Sequence, residues 1–189
     1  MGHVHMLGGT AAWLAACTVT APTVGVLTAG AAVATGAALL NDIDHEHSIA
    51  RSILGPITVG LSWLVRTGCG GQRRITHCLL GTFLFSAGIA GAASYWHWPS
   101  WVVVALLTGW TSHIALDMCT KQGCPLLWPL SMDRFGLPRD VAITTGGKHD
   151  DHGKRGGSKA LTAEHLLVVP ALLTVAVIAV YMLASGIRP

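Results

Sequence analysis

From Leu7 to Leu40 the sequence carries no charged side chain and only one proline, Pro22. An apolar stretch of about 18 or more residues can cross a bilayer as a helix, and this run is nearly twice that long. Proline breaks a helix interior, so the run divides at Pro22 into two antiparallel helices, near 5–20 and 23–40. Both are dominated by Ala, Gly and Thr, which lets membrane helices approach closely. The whole chain agrees: 51% of its 189 residues are hydrophobic, 11% are charged, and the mean hydropathy is +0.54. A soluble domain carries about 25% charged residues. The expected fold is therefore all-α, an integral membrane helical bundle forming a single membrane domain over residues 1–189.

Three further spans are predicted, over 77–96, 99–118 and 163–186. The aromatic run YWHWPSW between the first two suits a membrane–water interface. Residues 119–162 are Gly-rich and charged and read as one long polar loop, partly flexible around 145–160. The segment 49–66 is apolar but interrupted by Gly55-Pro56. Read as an interfacial or re-entrant helix, it leaves five spans and puts eleven of the twelve Lys and Arg residues on one face, with Arg188 alone opposite. The positive-inside rule makes the crowded face cytoplasmic, with the N-terminus in and the C-terminus out. MGHVHMLGG lacks the basic start of a signal peptide, so the first apolar segment is read as part of the mature protein. The five cysteines are odd in number and irregularly spaced, which argues against a disulfide framework. No nucleic-acid partner is expected.

The apolar run ends abruptly in NDIDHEHS, residues 41–48. Asp42, Asp44 and His45 are ligand types for hard and borderline cations; they are also what a solvated helix end would carry. Glu46 and His47 are assigned to solvent. In SHIALD, His113 and Asp117 lie four apart on one helix face, at the end of an apolar span, where ionisable groups are costly and usually functional. Water at a polar helix end would explain them too. RRITH places Arg73, Thr76 and His77 at the start of a span. There a helix N-terminus favours anions, and the arginines equally fit positive-inside flanking. His3 and His5 precede the first span. The His/Asp-rich 148–154 segment sits among Gly and Lys and reads as a flexible linker. Taken together, separate helix ends present His and Asp to one membrane face. Such mixed sets hold zinc or manganese at hydrolytic sites, and more than four ligands would suit two or more metals.

Three of these stretches, LLNDIDHEHS, RRITHCLLG and GWTSHIALDMCTKQGCPLLWPLS, resemble in that order the motifs of the YdjM-like family. These are bacterial inner-membrane proteins described as LexA-regulated, membrane-bound metal-dependent hydrolases. The family pattern reads approximately LPDIDH, HRGxTHS and SHxxxDxxTxxGxPLLWP, after an early histidine. The resemblance covers roughly residues 3–137. It implies metal ligation by His5, Asp42, Asp44, His45, His77, His113 and Asp117, with Arg73, Thr76 and Thr120 also matching its motifs. In the hydrolase it implies, Arg73 would face the developing anion, Thr76 would cap the helix, and Asp44 or Asp117 would be the general base. The His/Asp chemistry suits a divalent metal, zinc or alternatively manganese, and location alone, at the cytoplasmic interface, suggests a small-molecule or lipid-linked ester or phosphoester substrate met at the membrane lipid. Asn41, Gln72 and Arg74 depart from the pattern, replacing its proline, first motif histidine and glycine. If that histidine binds metal in relatives, Gln72 implies a smaller or weaker site. Two other readings stay open: a metal or proton transporter, and a catalytically degenerate structural or regulatory membrane protein.

Overall fold

The computed structural model describes residues 2–20, 22–44, 55–69, 71, 73–138, 142, 168–169, 172–173, 175–176 and 178–180, without the side chains of residues 44, 56 and 57. The described chain is helical. Five α-helices are defined: α1 (Gly2–Thr20), α2 (Val24–Leu40), α3 (Pro56–Gly68), α4 (Leu79–Trp96) and α5 (Ser100–Met118). Two short 3₁₀ turns, Asn41–Asp44 and Ile75–His77, follow α2 and precede α4. Helical backbone recurs among residues 169–180. His45, Gln72 and the 148–154 segment lie outside the described residues.

The break at Pro22 falls where proline chemistry puts it. Helix α1 ends at Thr20, and Thr23 caps α2 by accepting a hydrogen bond from the Val26 amide at 3.4 Å. Three segments are long and apolar enough to cross a membrane: Val24–Ile43, Leu79–Trp96 and Ser100–Met118. Helix α1 has 19 residues but does not share their hydropathy. Helix α3 has 13 residues, about 20 Å at 1.5 Å per residue, against a hydrocarbon core of about 30 Å. It packs on the Asn41–Asp44 turn, burying Thr58 and Ser62 and leaving Val59, Leu61, Trp63 and Leu64 exposed.

Helices α1, α2 and α5 pack mutually, with Ala34 of α2 fully buried between the other two. The close approach depends on glycine. A Cβ on Gly9 of α1 would stand 2.7 Å from the Ala34 carbonyl oxygen, and one on Gly109 of α5 would collide with the same carbonyl. Trp13, Leu14, Cys17, Ala34, Ala105 and Ala179 form one core cluster. Trp110, Ile114 and Cys124 form another. Helix α4 stands outside this trio, attached through Phe85, which stacks on Trp110 with ring centroids 3.9 Å apart. The antiparallel course brings the start of α1, the end of α2, the start of α4 and the end of α5 to one end of the bundle.

The segment after α5 is folded back on that end. The Leu137 amide donates to the Met118 carbonyl at 2.9 Å, the Leu79 amide to the Leu126 carbonyl at 2.9 Å, and Cys124 pairs with Phe135 in an isolated antiparallel bridge. Within the stretch read as a polar loop, this part also carries exposed apolar side chains. Leu127, Leu130, Met132, Phe135 and Leu137 are exposed, Leu130 by 93%. Lys121, Asp133 and Arg134 supply charge, but the backbone is pinned to the bundle, so its leucines project as a fixed apolar surface.

Candidate metal centre

The five side chains of the cluster come from four helix ends. His5 lies in the first turns of α1, Asp42 in the turn after α2, His77 in the turn before α4, and His113 and Asp117 in the last turns of α5. His5, His77, His113 and Asp117 are at most 2% exposed, and Asp42 is 9% exposed. Asn41 fixes the approach of two of these ends, its side-chain amide donating to the Trp110 carbonyl at 2.9 Å. At the start of α4, Gly81 lets the helix meet the Ile75 carbonyl, where any Cβ would collide.

Four atoms converge. His77 Nε2 lies 3.2 Å from His113 Nε2 and 3.1 Å from Asp117 Oδ2. His113 Nε2 lies 3.7 Å from both Asp117 Oδ2 and Asp42 Oδ1, and His77 Nε2 is 3.9 Å from Asp42 Oδ1. Tetrahedral zinc, with bonds of about 2.0–2.1 Å, sets its ligand atoms about 3.3–3.4 Å apart, so these separations bracket that edge length. His5 flanks the set, its ring stacked on His113 with centroids 3.7 Å apart and its Nε2 3.4 Å from Asp117 Oδ1. Two triads, His5–His113–Asp117 and Asp42–His77–His113, each bring their ligand atoms within 4.8 Å of one another.

Hydrogen bonding decides which imidazole nitrogen faces the cluster. His113 Nδ1 lies 2.6 Å from the Ala38 carbonyl oxygen. A carbonyl only accepts, so Nδ1 carries the proton and the Nε2 of the neutral ring is a bare lone pair. That lone pair is aimed at another imidazole nitrogen and two carboxylates. His77 is likewise held from outside, its Nδ1 2.7 Å from the Thr76 hydroxyl, which can donate or accept. Outer hydrogen bonds of this kind orient metal-binding histidines. Among the described residues, His5 Nδ1, Asp42 Oδ1 and both Asp117 oxygens are buried without a hydrogen-bond partner. Leaving such groups unsatisfied costs about 1–3 kcal/mol each, more when charged. The residues therefore fit a divalent cation.

Arg73 closes the rim. Its guanidinium is 3.7 Å from Asp42 Oδ1 and 3.8 Å from Asp117 Oδ2, and it donates to the Gln122 side-chain carbonyl. Two carboxylates against one guanidinium leave a negative charge for a cation to offset. Arg73 has φ 52°, a left-handed backbone that non-glycine residues occupy at a cost of about 1–3 kcal/mol unless surrounding contacts enforce it. The left-handed residue is Arg73 and not Arg74, where the family pattern has glycine. Thr120 caps α5 by donating to the Asp117 carbonyl at 2.8 Å. Gln122 was not singled out from the sequence, where only its place inside the Thr120–Gly123 motif pointed to it. All five cysteines are free. Burial, followed by the nearby Asp117 charge, pushes the Cys124 thiol up to about 12.

Of the seven sequence-predicted ligands, His5, Asp42, His77, His113 and Asp117 meet at this cluster. Asp44 is described by its backbone alone, in the same turn as Asp42, and His45 lies outside the described residues.

The profile of the family described as YdjM inner membrane protein matches this chain over residues 1–186. The chain belongs to that family. Two curated relatives, each named "Inner membrane protein YdjM", come from Escherichia coli (strain K12) and Shigella flexneri. Each is 37% identical over 103 residues, which is 53% of this chain and 48% of the relative. The chain thus spans about half the length of the curated relatives it matches. No solved structure matches it significantly. Family membership and the apolar helices make this a bacterial inner membrane protein.

Proposed function

We propose that the protein is a membrane-bound, metal-dependent hydrolase of an ester or phosphoester, with a divalent cation, zinc in the first instance, held by Asp42, His77, His113 and Asp117. The observation that carries this reading is the bare Nε2 of His113, held by the Ala38 carbonyl and facing two buried carboxylates. His113 Nε2 and the two carboxylates are acceptors pointed at one another, and they repel unless positive charge lies between them. When bound, the cation lowers the pKa of a water ligand and polarises the ester oxygen.

The chain's own groups supply the rest. Arg73 sits at the mouth of the cluster, where its guanidinium can face the negative charge that develops on the attacked group. The bond from water oxygen to phosphorus or acyl carbon forms as the ester bond breaks, and the proton released by water ends on the departing alkoxide. Asp44, two residues after Asp42 in the same turn, is the expected proton carrier. Thr76 acts through His77, holding its ring so that Nε2 faces inward. His5 braces His113 by stacking and stands beside the second Asp117 oxygen. The Lys/Arg distribution supports a cytoplasmic N-terminus and a cluster on that face. The distribution of polar groups favours hydrolysis over transport: the ionisable cluster is at one end of the bundle, while the Trp13–Ala105 half is apolar.

Elemental analysis of the protein purified in mild detergent tests this. The wild type retains about one zinc or manganese per chain, and Asp117→Ala and His113→Ala each lose it while remaining helical by circular dichroism. Each also leaves a buried site short of a ligand, so hydrolysis falls by at least about 100-fold, the upper range seen when only a ligand's outer partner is removed. A folded wild type that binds no divalent metal at micromolar concentration sinks the reading.

A further inference from the structure

We infer that the substrate of this site is the phosphate ester of a membrane lipid, which reaches the cluster sideways from the adjoining leaflet along an apolar rim formed by α3 and the segment 125–132. The inference rests on the hydrolase reading above and adds the substrate class and the route.

Two exposed apolar surfaces border the cluster. Helix α3 packs on the turn that carries Asp42 and turns its polar side inward: Thr58 and Ser62 are 1% and 2% exposed, while Trp63 and Leu64 are 66% and 59% exposed. A helix beside water does the reverse. Outward apolar and inward polar residues are what a helix shows when its surroundings are hydrocarbon. The second surface is the segment after α5, whose Leu127, Leu130 and Met132 are exposed. This segment is not loose. Its Leu126 carbonyl accepts the Leu79 amide at 2.9 Å, next to the ligand His77, and its Gln122 holds Arg73. The exposed leucines therefore continue the surface of Leu79, Leu80, Phe83 and Leu84 on α4, a helix apolar enough to span the membrane. That continuity commits the occupant to the bilayer rather than to a protein partner.

The charges between the two surfaces complement a lipid phosphate. Arg73 and Arg134 are both tied to Gln122, Arg73 to its side-chain carbonyl and Arg134 to its backbone carbonyl at 3.2 Å. Arg66 ends α3, and Arg74 adjoins Arg73. Guanidinium groups are the side chains best suited to phosphate oxygens. A rim with apolar flanks and guanidinium groups beside the metal ligands matches a molecule with hydrocarbon chains and a phosphate ester at one end. A small, fully hydrated ester would gain nothing from the apolar flanks.

The test uses the full chain, zinc-loaded, in lipid nanodiscs. Phosphatidic acid, phosphatidylglycerol and a polyprenyl diphosphate are supplied in the bilayer, and glycerol 3-phosphate and bis(p-nitrophenyl) phosphate in solution. Products are read by mass spectrometry and phosphate release. At least one bilayer ester should be cleaved at least about tenfold more efficiently than either soluble ester. Leu130→Glu, at a position with no packing to lose, should shrink that ratio by about tenfold, the factor carried by burying one leucine-sized side chain. Independently of catalysis, a diazirine-bearing phospholipid should crosslink to peptides containing 59–64 and 126–132. Soluble esters cleaved as well as bilayer ones, or crosslinks absent from both peptides, overturn the inference and leave the hydrolase reading standing. Zinc bound with no ester of either kind cleaved removes the hydrolase reading and this inference with it.

Discussion

The two ends of the bundle treat buried polar groups in opposite ways. In the half around Trp13, Leu14 and Ala34, polar groups find partners inside the protein: the Trp13 indole donates to the Leu27 carbonyl at 2.8 Å, and Thr10 and Thr35 share a hydrogen bond of 2.8 Å between α1 and α2. At the other end, His5, Asp42 and Asp117 keep buried atoms without hydrogen-bond partners, and the imidazoles of His77 and His113 point their Nε2 atoms at each other. The same helices build both ends, and both are closely packed. What differs is that one end is chemically closed, while the other sets two carboxylates and an imidazole lone pair against a single guanidinium. Packing alone explains the first; the second has the donor set that a cationic ligand would complete.

Removing that ligand gives the largest effect expected from the contrast. If zinc is present at about 100 times its dissociation constant, it stabilises the folded chain by about 2.7 kcal/mol. For a chain of this size that corresponds to roughly 5–10 °C in Tm. Adding EDTA to wild-type protein in detergent should lower Tm by that amount, and adding zinc back should restore it. In His113→Ala the same treatment should change nothing. An EDTA-insensitive wild type would mean that the open end is stable as it stands, and the contrast between the two halves would lose its meaning.

A finer cut is available at the outer hydrogen bonds. Thr76→Val keeps the shape of the side chain and removes the hydroxyl beside His77 Nδ1. The ring is then free to turn, and zinc affinity should fall by about 10–100-fold, measured by competition with a chromophoric chelator. Saturating zinc should still give full occupancy, because every inner ligand remains. An affinity equal to wild type would show that His77 is oriented by packing alone.

How much of this was legible in the sequence depends on range. The break at Pro22 and the shared face of His113 and Asp117 are local, and periodicity with proline chemistry finds them. The meeting of His5, Asp42 and His77 with that pair is not local; the topology put their helix ends on one membrane face, and motif resemblance singled out the residues. No pattern foretold that the Ala38 carbonyl would set the tautomer of His113, since a backbone atom leaves no trace in residue identity. The left-handed backbone of Arg73 was equally hidden, because nothing in an arginine announces positive φ. Gly-rich, charged composition made 119–162 read as a polar loop. The exposed leucines at 127 and 130 escaped that reading because composition averages over a segment while its fold decides which side chains project. The count of five spans rested on hydropathy and charge sidedness; the described helices include three that are long and apolar enough to cross.

The smallest effect belongs to the closed half, and it sharpens the comparison because it should leave the metal alone. Trp13→Phe deletes the indole N–H that reaches the Leu27 carbonyl. That carbonyl keeps its own place in the α2 hydrogen-bond ladder, so nothing is left unsatisfied. Side-chain hydrogen bonds between membrane helices contribute about 0.6 kcal/mol on average and at most about 1.7. The expected drop in Tm is therefore about 1–7 °C, with some lost packing against Gly30, which Trp13 overlies so closely that no Cβ would fit. Metal content and EDTA sensitivity should match wild type, since Trp13 lies about two helical turns from His5 along α1. A Trp13→Phe protein that loses zinc would show that the two ends are mechanically coupled through α1, and that the ligand geometry depends on the closed half as well as on the helix ends that bear it.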